Sequence, residues 1–202
     1  LALINIKRRT MNNKELIKSF RQGGTGNCVS IAIIKAGIEI FGLNNIFEHN
    51  WKDNLCEVVM RDGFQLEFTK EELKNGTSLS RFIILQNEEV FDYANLCFTA
   101  MTKRAQLEEN DNQADMSFEE AAETLNKGEY YLEGPHWLGL RQNIRSIGRK
   151  YIWQYKGVIG ASKKHCFFAS IGYEDDYGKV DKISFTERRF CKWFRVTEKS
   201  IH

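Results

Sequence analysis

One stretch of the chain is apolar on nearly every side. From Cys28 the run CVSIAIIKAGIEIF continues to Phe41, and Gly42 follows it. A run of about 14 residues is longer than most strands, so the pattern predicts a buried helix at the centre of the domain, ending at Gly42. The preceding segment, 22–27, contains three glycines and predicts a tight loop that leads into this helix.

The other patterns in the first two thirds of the chain are mostly helical. Capping-box residues predict helix starts at Thr69 with Glu72 and at Ser117 with Glu120. Gly128 is expected to end the second of these helices. The remaining predictions are helices at 11–20 and 90–106 and a hairpin at 56–68 that turns at Asp62 and Gly63.

The last third of the chain changes to short segments rich in aromatic and β-branched residues. The predicted strands are 151–159, 165–173, 180–185 and 192–196. Helices followed by strands indicate the α+β class, with a helical part at about 11–128, a sheet part at about 150–198 and a cleft between them. Residues 11–202 are therefore predicted to form one domain, and residues 1–10 to be a processed segment or one added for expression.

Composition narrows the choice of partners and location. The 202 residues carry a formal net charge of +2, too small to favour nucleic acid or an anionic membrane as the main partner. No apolar run reaches the ~20 residues of a membrane helix, and there is no signal-peptide core, so we expect a soluble protein. The five cysteines form no CxxC pair and are expected to be reduced thiols. A cytoplasmic protein or a bacterial effector delivered into another cell fits better than a classically secreted one.

The candidate chemistry lies in the loop before the central helix. A thiol at the first turn of a helix, as predicted for Cys28, is stabilised as thiolate by the positive end of the helix dipole. The backbone N–H of Cys28 and the side-chain amide of Gln22, six residues earlier, could both donate to an oxyanion. These residue types together predict a nucleophile with its oxyanion hole.

A nucleophilic thiol needs a general base. His165 is the best candidate because it begins a predicted strand after a polar turn, where it could face the cleft. His136, in the segment GPHW, is the alternative. We expect the other four cysteines to be ordinary buried residues.

At these residues the sequence resembles the papain-like cysteine peptidase superfamily. The Gly-x-x-Gly-x-Cys form before a long helix is most similar to the calpain-like branch. The family pattern maps onto Gln22, Cys28 and His165, with Gly172-Tyr173 at the end of the histidine strand. The resemblance implies the papain-like fold, a helical lobe packed against an antiparallel sheet. It also implies hydrolysis of a peptide or isopeptide bond through a thioester, a protein or peptide substrate, and no metal or other cofactor.

The sequence departs from the family pattern at three places. Val29 follows the cysteine where the family has a large aromatic residue, and Gly172 falls one residue late. The family's third catalytic residue, an asparagine, has no counterpart. If 165–173 and 180–187 form a hairpin, Glu187 would lie near the histidine and could orient its imidazole, with Thr186 and Asp181 as alternatives.

We therefore predict a cysteine-dependent hydrolase. Two other functions stay open at this point. A deamidase, transglutaminase or acyltransferase would share the same thioester step. A papain-like module that binds a partner without turnover would explain the missing asparagine.

Overall fold

The computed structural model describes residues 11–200, so the prediction for residues 1–10 lies outside the described residues. The chain has mixed helices and antiparallel sheets, which confirms the α+β class. The helices are α1 Asn13–Ile17, α2 Cys28–Phe41, α3 Lys70–Ser80, α4 Glu88–Leu107, α5 Phe118–Asn126 and α6 Glu133–Trp137.

The strands fall into three antiparallel groups within residues 11–200. The largest has six strands in the order β10-β9-β8-β7-β11-β6, a second has the order β2-β3-β4, and β1 pairs with β5. The bounds are β1 Phe20–Arg21, β2 Glu48–Lys52, β3 Leu55–Val59, β4 Gln65–Thr69, β5 Ile83–Ile84, β6 Ile144–Ser146, β7 Val158–Ala161, β8 Cys166–Ser170, β9 Tyr173–Asp176, β10 Lys179–Lys182 and β11 Lys192–Val196.

The central helix α2 begins at Cys28 and ends at Phe41, as predicted. It packs against β8, and its residues from Val29 to Glu39 are buried. Within it, the Glu39 carboxylate accepts hydrogen bonds from the Gly157 backbone N–H and the Ser170 hydroxyl, each at 2.6 Å. These bonds fix the helix to the open end of the β7–β8 hairpin, where β7 begins and β8 ends.

Local signals elsewhere in the helical part also hold. The capping boxes of Thr69 with Glu72 and of Ser117 with Glu120 are both present. The 56–68 hairpin is confirmed as β3 and β4, with Gly63 at φ +86° in the turn. The sequence missed its third strand, β2, because its residues, EHNWK, are mostly polar.

The predicted strand pairing in the sheet part is wrong. The 165–173 segment does not turn at 175–178 to pair with 180–187. It turns at Ile171 and Gly172, both in the left-handed region, so that β8 pairs with β9. A second turn, at Tyr177 and Gly178, then pairs β9 with β10. A β-branched residue rarely adopts positive φ, and Ile171 therefore concealed the first turn.

The predicted strand at 151–159 is largely wrong as well. A short 3₁₀ helix covers Arg149–Tyr151, and β7 begins only at Val158. Within residues 11–200, no helix is both long enough and apolar enough to cross a bilayer.

Candidate active site

The backbone around Cys28 is fixed by a buried asparagine. Asn27 is fully buried and does not cap α2 with its side chain. Its Nδ2 instead donates to the Ser80 carbonyl oxygen at 2.7 Å and to Oδ1 of Asn126 at 2.8 Å. The start of α2 is thereby fastened to the carboxyl ends of α3 and α5, and the N–H groups of its first turn are left uncapped by that side chain.

The glycines before Cys28 are required by close approach. A Cβ on Gly23 would lie 2.1 Å from the Arg81 carbonyl oxygen, and one on Gly26 would lie 2.8 Å from the Asn126 carbonyl oxygen. Gly26 also donates its N–H to that Asn126 oxygen at 2.7 Å. Glycine at these two positions lets the loop pack directly on neighbouring backbone, and this packing fixes the position of Cys28 at the start of α2.

Gln22 lies on the same loop, directly after β1. Its Nε2 donates a hydrogen bond to the Thr25 carbonyl oxygen, which folds the amide back over the loop. A glutamine amide has two N–H donors, so one remains for another acceptor. Gln22 and Cys28 line the same cavity.

His165 is held by a short turn between β7 and β8. Its backbone N–H donates to the Ser162 hydroxyl at 3.0 Å, and its carbonyl accepts from the Ser162 N–H at 2.8 Å. The imidazole stacks on Tyr177, with 5.3 Å between ring centroids and 14° between planes, and on Phe167 at 6.0 Å. The ring therefore has a defined orientation, supplied by aromatic neighbours.

The fold brings the three predicted residues to one place. Gln22, Cys28 and His165 all line a cavity of about 1000 Å³, and they also line a small adjoining cavity that reaches Asp175 and Tyr177. Cys28 is half-buried and free. Three residues that are separated by up to 143 positions in the chain thus share one cleft.

Several charges act on His165. Burial lowers the pKa of His165 below its ordinary value, and the Arg188 guanidinium lowers it further. The carboxylates of Asp175 and Asp176 raise this pKa and so oppose both effects. The net shift is downward, which favours the neutral imidazole that can accept a proton.

Asp175 is held by a buried lysine of the central helix. Lys35 is fully buried, and its Nζ lies 2.6 Å from Oδ2 of Asp175. The same Nζ donates to the carbonyl oxygens of Ile17 and Phe20, and Oδ1 of Asp175 accepts from the Gly178 N–H at 2.7 Å. Burial lowers the pKa of Lys35, while Asp175 opposes this effect. The ion pair connects α2, the segment before Gln22 and the turn that carries Tyr177.

The structure does not place Glu187 where it could orient the imidazole of His165. Because β8 pairs with β9, the segment 180–187 does not lie beside the histidine strand. Glu187 is exposed between β10 and β11, and its N–H donates to the Ser184 hydroxyl. Neither Glu187 nor the two alternatives, Thr186 and Asp181, is among the residues that line the two cavities.

The other histidine and thiols lie in different settings. His136 pairs with Glu108, with 2.5 Å between Nε2 and Oε2, and does not line the Cys28 cavity. Burial raises the pKa of the Cys56 thiol to about 11 and that of Cys97 further. These thiols remain protonated at neutral pH, which suits buried packing residues.

Three residues of the site were not predicted from the sequence. Asn27, Tyr177 and Asp175 act through contacts with distant segments, which local patterns do not show. The one usable signal was the pair of x-Gly turns in the segment SIGYEDDYGK, which would have placed Asp175 on the strand next to the histidine strand and Tyr177 in the turn that follows it.

Comparison of the chain with protein-family models, with curated proteins and with solved structures found no match. Within residues 11–200, no three His, Cys, Asp or Glu side chains form a group that could hold a metal ion. The residues of the cleft are therefore the evidence from which a function can be proposed.

Proposed function

We propose that the protein is a cysteine-dependent hydrolase of peptide or isopeptide bonds, with a papain-like arrangement of a helical lobe against an antiparallel sheet. The observation that carries the proposal is the convergence of Cys28, His165 and Gln22 on one cavity. Cys28 is the first residue of a 14-residue helix, where the dipole favours a thiolate.

The proposed reaction has two halves. His165 takes the proton of Cys28, and the sulfur attacks the carbonyl carbon. The C–N bond then breaks, the imidazolium gives its proton to the leaving amine, and a thioester remains on Cys28. In the second half, His165 takes a proton from water, the hydroxide attacks the thioester, and the acid leaves as Cys28 recovers its proton.

The oxyanion of each tetrahedral intermediate needs preorganised donors. The Cys28 N–H is one, because the Asn27 side chain leaves the first turn of α2 uncapped. The second is the N–H of Gln22 that remains beside the one bonded to Thr25. Removing one such donor in acyl-transfer enzymes costs about 10²–10³ in kcat.

We assign the third position to Asp175 in place of Glu187. Its charge raises the pKa of His165, and it lines the small cavity with Cys28 and His165. Both of its oxygens are engaged, by Lys35 and by Gly178, so it acts on the imidazole through its charge. Asp175 is thus a positioning and electrostatic residue.

The test is a search for new peptide ends. A peptide mixture prepared from whole-cell protein is incubated with the full chain and with three variants, and new N-termini are identified by mass spectrometry. We expect new termini with the unaltered protein and with Cys191→Ala, the matched control for another half-buried thiol. We expect none with Cys28→Ala or His165→Ala.

Two outcomes would contradict the proposal. Equal cleavage by Cys28→Ala would exclude thiol catalysis at this residue. Ammonia release that depends on Cys28 without new termini would instead favour a deamidase acting through the same thioester.

A further inference from the structure

The cavity that contains Cys28 has a strongly basic rim. Four lysines line it, two from the turn before His165, one from the carboxyl end of α5 and one from β11. They are Lys163, Lys164, Lys127 and Lys192, and all four are exposed. The whole chain carries a net charge of only +2, so positive charge is concentrated at this cleft.

In the described part of the chain, these lysines are not seen to form ion pairs with carboxylates. Among residues 11–200, no ion pair involves Lys127, Lys163 or Lys164, and Lys192 donates only to the Tyr131 hydroxyl, at 3.0 Å. A cleft lined by one sign of charge concentrates ligands of the opposite sign and speeds their association.

The acidic residue on this cavity is Glu129, and it is not positioned to cancel the rim. Oε1 of Glu129 accepts from Trp137 Nε1 at 3.0 Å and from Asn110 Nδ2 at 3.2 Å. Burial and the nearby Glu133 raise the pKa of Glu129 to about 8. The group is therefore mostly protonated at neutral pH, and the charge of the cavity is left to the lysines.

Aromatic rings stand among the lysines. Tyr130 and Tyr131 lie with ring centroids 4.2 Å apart, and Tyr131 stacks on Phe194. Phe190 lines the same cavity with 86% of its surface exposed. Exposed rings of this kind are typical of surfaces that contact a peptide.

We propose that the cleft selects acidic polypeptide segments, with carboxylate side chains on Lys127, Lys163, Lys164 and Lys192 and apolar groups on Tyr130, Tyr131 and Phe190. This inference rests on the proposed function for its chemistry, because it places the carboxylates within a few residues of the amide that reaches Cys28. It names the substrate class of that site.

The main experiment measures binding without turnover. Full-length Cys28→Ala protein is titrated against two fluorescein-labelled ten-residue peptides, one with four Glu and Asp residues around a central Leu-Ala, the other with Gln and Asn at those four positions. Anisotropy should show the acidic peptide bound at least about tenfold more tightly at low ionic strength. At about 1 M salt, where the Debye length is near 3 Å, the preference should largely disappear.

Charge variants locate the effect. Lys163→Glu with Lys164→Glu should remove the preference for the acidic peptide. Lys74→Glu with Lys182→Glu, an equal charge change at exposed positions outside the cavity, should keep it. Because the 163–164 turn adjoins His165, Lys127→Gln on the opposite wall provides a second variant, which should weaken acidic-peptide binding by a smaller factor.

A second measurement needs no peptide. Iodoacetate is an anion and iodoacetamide is neutral, so the ratio of their rates at Cys28 reports the local potential. The ratio at Cys28 should fall in Lys163→Glu with Lys164→Glu, and it should stay unchanged in Lys74→Glu with Lys182→Glu.

The outcomes separate this inference from the proposed function. Equal binding of the two peptides, or loss of the preference in the Lys74 and Lys182 control, would overturn the inference even if Cys28 were catalytic. A clear acidic preference together with an ordinary, His165-independent Cys28 would support acidic binding and overturn hydrolysis.

Discussion

The two walls of the cleft are held in different ways. The Cys28 wall is fixed by buried hydrogen bonds from Asn27, which is fully inaccessible, and by a loop packed directly on backbone. The His165 wall is fixed by a four-residue turn and by stacking of the imidazole on Tyr177, which is 51% exposed. Breaking a buried hydrogen bond costs free energy, so such contacts hold their geometry, whereas stacked rings that are half exposed can move at a smaller cost. The Cys28 wall is thus the rigid one and the His165 wall the adjustable one.

The buried ion pair between the walls should give the largest effect. Asp175→Asn leaves the Lys35 ammonium buried without its counter-charge, and we expect the free energy of unfolding to fall by about 3–5 kcal/mol. Lys35→Met with Asp175→Asn removes both charges and should recover much of this loss. Urea denaturation measures both. Equal losses in the single and double variants would show that the pair does not join the walls.

The glycine loop offers a matched comparison on the rigid wall. Gly23→Ala would place a Cβ against the Arg81 carbonyl and should cost about 1–3 kcal/mol. Gly24→Ala meets no atom within 4 Å and should change stability by less than about 1 kcal/mol. Thermal unfolding of both variants is the measurement, and a similar loss in each would argue against close packing of this loop.

The Asn27 side chain should matter for both stability and chemistry. Asn27→Ala removes two buried hydrogen bonds, and we expect a loss of about 1–3 kcal/mol together with slower alkylation of Cys28. Asn75→Ala is the control, since its amide makes a long, exposed bond to Glu119. Denaturation and alkylation by iodoacetamide are measured on both. Unchanged Cys28 reactivity in a destabilised Asn27→Ala would limit the asparagine to a structural role.

The adjustable wall should show the smallest effect, as a pH shift. Burial lowers the pKa of His165, so removing its Tyr177 cover should raise that pKa, by less than about one unit. Tyr177→Asn suits this test because asparagine tolerates the positive φ of 51° at this position. NMR titration of the imidazole reads the shift, and the acid limb of any activity profile should move to higher pH. Tyr151→Asn, outside the cavity, should leave the titration unchanged.

The sequence predicted the rigid wall better than the adjustable one. The apolar run gave the bounds of α2, and the glycine loop, the helix start and the amide six residues earlier pointed to Cys28 and Gln22, which line one cavity. These features are local, and local patterns are what a sequence shows directly. His165, which the sequence predicts to face the cleft, also lines the cavity.

The remaining contacts depend on pairing between distant segments. Ile171 at positive φ conceals a turn, so the predicted neighbour of the histidine strand is wrong and the prediction falls on Glu187. The role of Lys35 has no local signal in the sequence, because its partner Asp175 lies 140 residues away. When the wrong strand is paired with the histidine strand, every predicted cross-strand neighbour of that strand is wrong as well.

The most direct test of the account compares two thiols in one protein. Iodoacetamide alkylation of Cys28 and Cys191 is followed by mass spectrometry from pH 5 to 9, in the unaltered protein and in His165→Ala, with His136→Ala as the control histidine. If Cys28 and His165 form the catalytic pair, alkylation of Cys28 should reach half of its maximal rate well below pH ~8.5, where ordinary thiols titrate. Only His165→Ala should remove this behaviour. A Cys28 profile that matches Cys191 and ignores His165 would contradict the catalytic assignment.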